Sequence, residues 1–348
     1  MGIAGLAQGL EALGHRLTLR PLRLRTRFHT LDRWLYNLGV FLSPPREADL
    51  VVGVDLDGFL WARRRRIPFV VSLKGIIADE LKSERGWVRV LLGVQAGWER
   101  RNTERADLVL VTSAYSAEVA RWEYGVVTER LVIVPEPIEL AAWDAQFSQA
   151  RRRLEKQRDA GPVVLSVGRM YPRKHFADLL RAAVRLHARI PGVRIRIVGR
   201  GPEWEALNRL RADLGLGETV ALLGDVSRER LAEEYVGADV FCLPSVQEGF
   251  GIVFLEAMAA GLPVVACRAA AVPEVVQDGV TGLLAPPRDP AALAGILEAL
   301  LRDPERGREL GEEGRRRVNS YTPERVAERF LNAVRWTVKR AAPPTRGD

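Results

Sequence analysis

The chain has 348 residues, which is more than one hydrophobic core usually organises, so two domains of ordinary size are expected. Apolar residues make up 47% of the chain and charged residues 28%, a balance typical of soluble globular proteins. No apolar run is long enough to span a bilayer, and the first residues lack the pattern of a signal peptide, so we expect a cytoplasmic protein.

The formal charge of +8 is compatible with nucleic acid, an anionic membrane or phosphorylated substrates as partners. The arginine runs at 63–66 and 151–153 have no interleaved aromatic residues, which favours solvated faces and no nucleic-acid partner. Cys242 and Cys267 each lie inside an apolar run, so buried free thiols are favoured over a disulfide or a metal site.

In the first half, a helix is predicted at 3–13, followed by strands near 17–20, 50–54, 68–73, 108–111 and 131–134. The strands are continuous apolar runs separated by helical segments, which is typical of a parallel sheet covered on both faces. The strand that should precede the first helix is missing, and we expect it upstream of Met1. Residues 1–138 are therefore predicted to form one Rossmann-like domain.

In the second half, strands are predicted near 163–167, 193–198, 220–223, 240–243, 264–266 and 282–285. They place a second Rossmann-like domain at 162–322, after a polar linker at 139–161 and before a C-terminal helix and tail at 323–348. The expected fold is α/β: two doubly wound parallel-sheet domains in tandem, with ligands at the carboxyl ends of the strands, facing an interdomain cleft.

The strongest motif runs from Gln247 to Gly261, directly after the strand at 240–243. Its glycines allow backbone N–H groups to approach a ligand, and a helix beginning near Ile252 directs its positive end to the same place, which predicts an anion site. Glu256 is a carboxylate on an otherwise apolar helix. A ribose diol could bind both of its oxygens, but a partner within its own domain is an equally good explanation.

A second motif runs from Ser166 to His175 and includes Gly168, where the first strand of the second half ends. It contains Arg169 and Lys174, and both could contact a diphosphate, the guanidinium through a fork of N–H groups and the ammonium as a point charge. Basic residues at a helix start oppose the helix dipole, which favours a ligand over a solvated helix end. The Gly199 turn and the turn before Val226 are weaker signals, because glycine there also serves chain reversal.

Taken together, Glu248 and Glu256 at their spacing, Gly168-Arg169 with Lys174, and the Gly199 turn resemble the donor half of retaining family 4 glycosyltransferases, the glycosyl transferases group 1. The resemblance is dense from 163 to about 318, and it implies the GT-B fold. It also implies a nucleoside-diphosphate sugar as donor.

The resemblance assigns roles to individual residues. It implies that Glu248 approaches the transferred sugar, that Glu256 holds the ribose hydroxyls, and that Arg169 and Lys174 neutralise the diphosphate. Further donor contacts are implied at Gly168, Gly199, Val226, Gly249, Phe250, Gly251 and Ile252. We expect catalysis by front-face departure and attack, because no nucleophilic carboxylate can be identified.

The first half resembles the family more loosely. Residues 72–75 replace a region where many members carry a histidine near the sugar, and Glu136 begins a segment that usually reads Asn-Gly-Val-Asp. Around this region, candidate acceptor or donor contacts are Lys74, Gly75, Asp79 and Glu80, with ordinary loop charges as the equal alternative.

Asp55-Leu56-Asp57 follows a strand and is the pattern of a divalent-metal site in another glycosyltransferase fold. Here it lies in the acceptor half, and an arginine–lysine pair already supplies positive charge, so we predict neither a metal nor another cofactor.

The stretch 22–42 mixes arginines with Trp34, Tyr36 and Phe41. This composition is compatible with peripheral contact at the inner face of a membrane that carries the acceptor, although helix packing is the commoner explanation.

The function predicted from these observations is transfer of a sugar from a nucleoside-diphosphate-sugar donor to a hydroxyl of an unknown acceptor, either lipid-linked or a polysaccharide. A phosphorylase or a nucleotide-sugar epimerase on the same fold is the alternative, since fold does not determine function. A basic nucleic-acid-binding protein is the least favoured, because the positive charge is scattered.

Overall fold

The structure is a computed structural model that describes residues 2–22, 29–45, 47–154 and 161–341. The chain divides into two compact units, one formed by residues 1–136 with 323–348 and the other by residues 137–322. None of the helices in the described ranges is both long and apolar enough to cross a membrane.

The first unit contains a sheet of four parallel strands among its described residues, in the order β1-β2-β3-β4. The elements are α1 (Gly2–Ala12), α2 (His29–Leu42), β1 (Val51–Val54), β2 (Phe69–Ser72), α3 (Ile77–Glu80), α4 (Gly86–Arg105), β3 (Leu108–Val111), α5 (Ala114–Tyr124) and β4 (Leu131–Ile133). Both faces of this sheet are covered, because Phe69 and Val71 pack into one apolar cluster while Val70 between them packs into another.

The predicted strand at 17–20 is wrong, since these residues form no strand in the structure. Leu17 packs beside the cluster around Leu10, but Leu19 is exposed, and the segment pairs with no described strand. Alternating apolar residues satisfy a strand pattern, but a strand also needs a hydrogen-bonded neighbour.

The second unit contains six parallel strands among its described residues, in the order β10-β9-β8-β5-β6-β7. The elements are α6 (Leu140–Leu154), β5 (Val163–Val167), α7 (Phe176–Arg189), β6 (Arg194–Val198), α8 (Trp204–Asp213), β7 (Val220–Gly224), α9 (Arg228–Val236), β8 (Val240–Leu243), α10 (Ile252–Ala260), β9 (Val264–Cys267), α11 (Val272–Val275), β10 (Gly282–Ala285), α12 (Pro290–Arg302) and α13 (Pro304–Val318). Counted within the unit, this is the 3-2-1-4-5-6 order of a doubly wound dinucleotide-binding sheet.

Helix α6 occupies most of the segment 139–161 that the sequence suggests as a linker. Its Trp143 and Phe147 are fully buried in the core of the second unit, where Trp143 stacks on Phe147 and meets Tyr235 edge-on. The described part of this segment therefore packs as an ordinary domain helix, and 155–160 lie outside the described residues.

A last helix, α14 (Pro323–Ala341), packs against α1 in the first unit. Val326, Ala327 and Phe330 join Leu10 and Val70 in one apolar cluster, so the chain returns to complete the core of its first half. Both units are α/β domains built on a parallel sheet, which confirms the predicted fold class, and the strand order of the second is doubly wound. Residues 342–348 of the predicted tail lie outside the described residues.

Candidate functional site

The candidate donor site lies where the strand order of the second unit reverses. Strands β5 and β8 are paired neighbours, yet the chain leaves β5 toward β6 on one side and leaves β8 toward β9 on the other. Such a reversal opens a crevice at the carboxyl ends of the two strands, which is where doubly wound sheets bind ligands. Both predicted motifs, the one at Gly168 and the one at Gln247, begin at these two strand ends.

The two loops are tied together by a backbone bond and an ion pair. The N–H of Val246 donates to the carbonyl of Arg173 at 2.9 Å, and Lys174 Nζ donates to Glu248 Oε1 at 2.5 Å. Both side chains of the ion pair are almost fully buried. An ammonium and a carboxylate are therefore held in a poorly solvated place, where their charges act strongly on any group beside them.

Arg169 is placed differently from Lys174, because its side chain is exposed. Its guanidinium lies over the ring of Tyr171, with 5.3 Å between the guanidinium carbon and the ring centroid, and Arg173 lies over the same ring at 4.7 Å. Two cations stacked on one aromatic ring form a positive surface beside the buried pair.

Helix α10 begins at this loop without a side-chain cap. Its N-cap is Gly251, whose φ of 93° suits glycine and which, lacking a side chain, makes no side-chain cap hydrogen bond. The first N–H groups of a helix have no partner within the helix, so the start of α10 is an anion-binding end. Phe250, which the resemblance places beside the donor, is buried against the ring of Tyr321, so a donor contact there would come from its backbone.

Glu256 lies one turn into α10 and is completely buried. The Tyr235 hydroxyl of α9 donates to its Oε2 at 2.9 Å, while its Oε1 has no hydrogen-bond partner among the residues that the structure describes. Loss of solvation raises the pKa of Glu256 to about 7, against a smaller lowering by Tyr235 and Arg228. The partner within its own domain is therefore a tyrosine, and it occupies one of the two oxygens that we expected a ribose to bind.

The turns at the ends of β6 and β7 pack closely against the end of β5. Gly199 has a φ of 118°, its N–H donates to the carbonyl of Gly224 at 2.8 Å, and a Cβ there would lie 2.3 Å from the Gly168 carbonyl oxygen. Gly168 is different, since among the described residues a Cβ there would meet only Phe176 and Leu243, at ordinary distances. Val226 follows β7 and is half-buried against the core.

In the first unit, the four candidate residues follow β2. Lys74 Nζ pairs with Glu136 Oε1 at 2.7 Å, and its backbone N–H donates to Asp55 Oδ1 at 2.8 Å. Lys74 and Glu136 both lie in segments that depart from the family pattern, and their side chains form an ion pair with each other.

Of the other three candidates, Asp79 accepts from the Tyr115 hydroxyl at 2.7 Å and from Lys82 at 3.2 Å. Gly75 lies beside Glu80, whose Oε1 would be 2.9 Å from a Cβ on that glycine.

Asp55 and Asp57 are engaged by protein donors. Arg33 of α2 donates to Asp57 at 2.8 Å, and Asn37 donates to the same carboxylate at 3.3 Å. Burial raises the pKa of Asp57 to about 6. Over the described ranges, no group of three or more His, Cys, Asp or Glu residues could hold a metal ion.

Comparisons with known proteins identify the family of this chain. The family model described as "Glycosyl transferases group 1" matches residues 148–317, which include both motifs. An MMP alpha-(1->4)-mannosyltransferase of Mycolicibacterium hassiacum is 30% identical over 294 residues, covering 82% of this chain and 69% of that protein. The chain belongs to the glycosyl transferases group 1 family.

Other similarities extend over most of this group 1 chain. The GDP-mannose-dependent alpha-(1-6)-phosphatidylinositol monomannoside mannosyltransferase of Mycolicibacterium smegmatis is 35% identical over 260 residues, covering 69% of this chain and 64% of that protein. A sucrose-phosphate synthase structure from Thermosynechococcus elongatus superposes with a TM-score of 0.73 at 25% identity, covering 93% of this chain and 83% of that one. These likenesses confirm the GT-B fold. The chain spans about half to two thirds of the length of several curated relatives that it matches.

Sequence reasoning missed two buried polar groups, one in each unit. Tyr235 was not singled out, because its bond to Glu256 depends on the packing of α9 against α10. Glu99 of α4 is fully buried near α3, where it accepts from Tyr124 and from the N–H of Ile77, and burial raises its pKa. No sequence signal pointed to it, since a glutamate in a helix is ordinarily exposed.

Proposed function

We propose that this chain is a retaining glycosyltransferase that moves a sugar from a nucleoside-diphosphate-sugar donor to a hydroxyl of a lipid-linked or polysaccharide acceptor. The observation that carries the proposal is the buried pair of Lys174 and Glu248, held beside the uncapped start of α10 at the reversal of strand order. The Lys174 ammonium, the Glu248 carboxylate and the start of α10 lie together at the strand-order reversal, which is where a doubly wound sheet binds nucleotides.

The diphosphate would be held by Lys174, by Arg169 and by the first N–H groups of α10. When the sugar departs, the electron pair of the bond between the anomeric carbon and oxygen goes to the diphosphate, which gains negative charge. Fixed positive groups stabilise that charge without reorganising. Lys174 is already in place in the free protein, because Glu248 and the bond between Val246 and Arg173 position it.

The nucleoside would contact Glu256 and the backbone near Val226. Tyr235 occupies Oε2 of Glu256, so a ribose hydroxyl would donate to the remaining Oε1. A buried carboxylate oxygen without a partner is costly, and a ligand hydroxyl relieves that cost. The remaining Oε1 of Glu256 is therefore a suitable acceptor for a ribose hydroxyl of a nucleotide.

The sugar would lie beside Glu248 and the glycines that follow it. We favour front-face transfer: the acceptor oxygen attacks the anomeric carbon on the side that the diphosphate leaves, and the acceptor proton passes to the departing phosphate oxygen. Retention follows, because both events occur on one face of the sugar. Glu248 is bound to Lys174 and serves to orient the sugar in this proposal.

On the acceptor side, Lys74, Gly75, Asp79 and Glu80 remain our candidates for contacts with the acceptor or the donor sugar. A cytoplasmic protein is proposed, with peripheral contact at the inner face of a membrane. The first donor to test is GDP-mannose and the first acceptors are inositol-containing glycolipids, because the relatives from Mycolicibacterium smegmatis and Geodermatophilus obscurus carry those names.

Thermal unfolding with a panel of nucleoside diphosphates and their sugars tests the proposal. Nucleotides of one base should raise the unfolding midpoint, and the rise should grow with the logarithm of the ligand concentration once that exceeds Kd. Glu256→Gln should reduce the rise. Product analysis with the stabilising donor then separates the activities. Transfer requires an acceptor, whereas conversion of donor alone indicates an epimerase, and a requirement for phosphate indicates a phosphorylase. No stabilisation by any nucleotide would refute the proposal.

A further inference from the structure

Helix α4 is packed with its polar side inward. Its buried side chains are Ala96, Glu99, Asn102 and Thr103, while Trp87, Val90, Leu91 and Val94 in its first half are exposed. Trp87 is 80% exposed, and none of the other three is less than 45% exposed. This reverses the usual arrangement, in which the apolar stripe of a helix faces the core.

Helix α2 shows the same reversal. Its fully buried side chains are Asp32 and Asn37, and Leu31 and Trp34 are exposed. Gln95 of α4 donates to Thr30 at 2.8 Å, which holds the first turn of α2 beside the middle of α4. We call Leu31, Trp34, Trp87, Val90, Leu91 and Val94 the α2–α4 face.

The inward polar groups explain why the apolar ones point outward. Asn37 accepts from the N–H of Gly58 at 2.7 Å, and Asn102 donates to the carbonyls of Asp55 and Asp57 at 2.7 and 3.1 Å. Both helices therefore use their polar sides to hold the loop after β1. Their apolar sides are left facing outward, and adjacent exposed apolar groups of this kind mark interaction surfaces.

The charges beside the face are positive. Arg85 and Arg89 flank Trp87 at the start of α4, both are exposed, and no carboxylate occurs between Gly86 and Trp98. The first turn of α4 has no acidic residue, so the positive end of the helix dipole adds to the arginines. Tryptophan and aliphatic side chains bordered by arginine are typical of helices that lie in the surface of an anionic bilayer.

We propose that the α2–α4 face docks on an anionic lipid bilayer. A second copy of the chain fits the face less well, because a two-fold contact would bring Arg85 and Arg89 toward their own counterparts. A bilayer supplies both the apolar layer for Trp87 and Leu91 and the phosphates for the arginines. The arginines at 23, 25 and 27 lie outside the described residues and are not needed for this surface.

Sedimentation with vesicles tests the proposal, using phosphatidylglycerol mixed with phosphatidylcholine and phosphatidylcholine alone. The full chain should bind the anionic vesicles, and binding should weaken as salt increases. The double variant Trp87→Ser with Val90→Ser should lower the partition coefficient at least about tenfold, and Arg85→Gln with Arg89→Gln should do so on anionic vesicles.

Trp122→Ser is the matched control, because Trp122 of α5 is 86% exposed but has no exposed apolar neighbour on its own helix. It should bind like the unaltered chain. Circular dichroism and nucleotide binding should be unchanged in all variants, since none of these residues belongs to the donor site.

Three outcomes would overturn the proposal. The first is no binding to anionic vesicles, and the second is equal binding by the Trp87 and Trp122 variants. The third is a dimer, seen by light scattering without lipid, that the Trp87 variant abolishes, which would assign the face to a second copy. The vesicles contain neither donor nor acceptor, so the result is independent of glycosyl transfer.

Discussion

At the scale of single residues, the pair of Lys174 and Glu248 leads to the sharpest kinetic prediction. Lys174→Ala and Arg169→Ala should each lower kcat about 100-fold or more, the effect of deleting one preorganised electrostatic group. The double variant should fall less than the product of the two, because both cations act on one diphosphate. Steady-state kinetics at saturating donor and acceptor measures both effects.

Removal of Lys174 also leaves the buried Glu248 carboxylate without its cation, which destabilises the fold. Lys174→Met combined with Glu248→Gln separates the two effects, because it removes both charges and restores stability without restoring turnover. Near-normal kcat in both alanine variants, on folded protein, would reduce Arg169 and Lys174 to structural charges.

Glu256 predicts a pH dependence of nucleotide binding. Its pKa is raised to about 7 by burial, and the ionised form is the better acceptor for a ribose hydroxyl. Binding should be about tenfold weaker at pH 6 than at pH 8, because a group with this pKa is about one-tenth ionised at the lower pH. Calorimetry at both pH values should show this dependence, and Glu256→Gln, which binds more weakly, should lose it.

The same shift affects folding. The folded-state pKa of Glu256 lies above its ordinary value of 4.5, so its contribution to stability is complete below pH 4.5 and is lost as the pH rises through about 7. Urea unfolding at pH 5 and pH 8 should show that Glu256→Gln loses less stability between these values than the unaltered chain does. An equal loss in both proteins would contradict the burial of an ionisable Glu256.

At the scale of elements, two glycines at strand ends of the second unit, Gly168 and Gly199, should respond differently to replacement by alanine. Gly199→Ala should destabilise the protein by at least about 2 kcal/mol, because φ is positive and the new methyl group would meet the Gly168 carbonyl. Gly168→Ala should fold normally, since the space for its methyl group is adequate, but should bind donor more weakly if this edge faces the diphosphate.

Chemical denaturation and nucleotide titration of both variants check this difference. Gly217→Ala is the control, because its methyl group would meet no atom of the described residues within 4 Å. Unchanged donor affinity in Gly168→Ala would remove Gly168 from the donor site.

At the scale of the whole molecule, α14 lies at the end of the sequence but packs into the first unit. Phe330→Ala should cost about 3–5 kcal/mol of stability, because Phe330 is buried among Leu10 and residues of β2 and β3. Hydrogen exchange should speed up in β3 and much less in β8, and nucleotide binding should persist. The exposed Arg329→Ala is the control, and equal exchange in both strands would contradict the division into two units.

Most of the strands could be predicted from the sequence, because a parallel strand buried on both faces is a continuous apolar run. The structure confirms the strands of the second half to within one residue at each end. The strand predicted at 17–20 was wrong because an alternating apolar pattern does not show whether a neighbouring strand is present to pair with it. The positions of Gly168, Lys174 and Glu248 at strand ends followed from local order alone, since every parallel strand presents its carboxyl end at the same edge.

By itself, the sequence determined the α/β class, the two parallel sheets and the family, because these depend on local runs and spacings. Tertiary structure alone decided that Lys174 pairs with Glu248, that Tyr235 binds Glu256, and that α14 belongs to the first unit. It also decided that α2 and α4 turn their polar sides inward. The reason is physical: periodicity reports that a face of a helix or strand is apolar, whereas the partner of a buried polar group is chosen by residues distant in the chain.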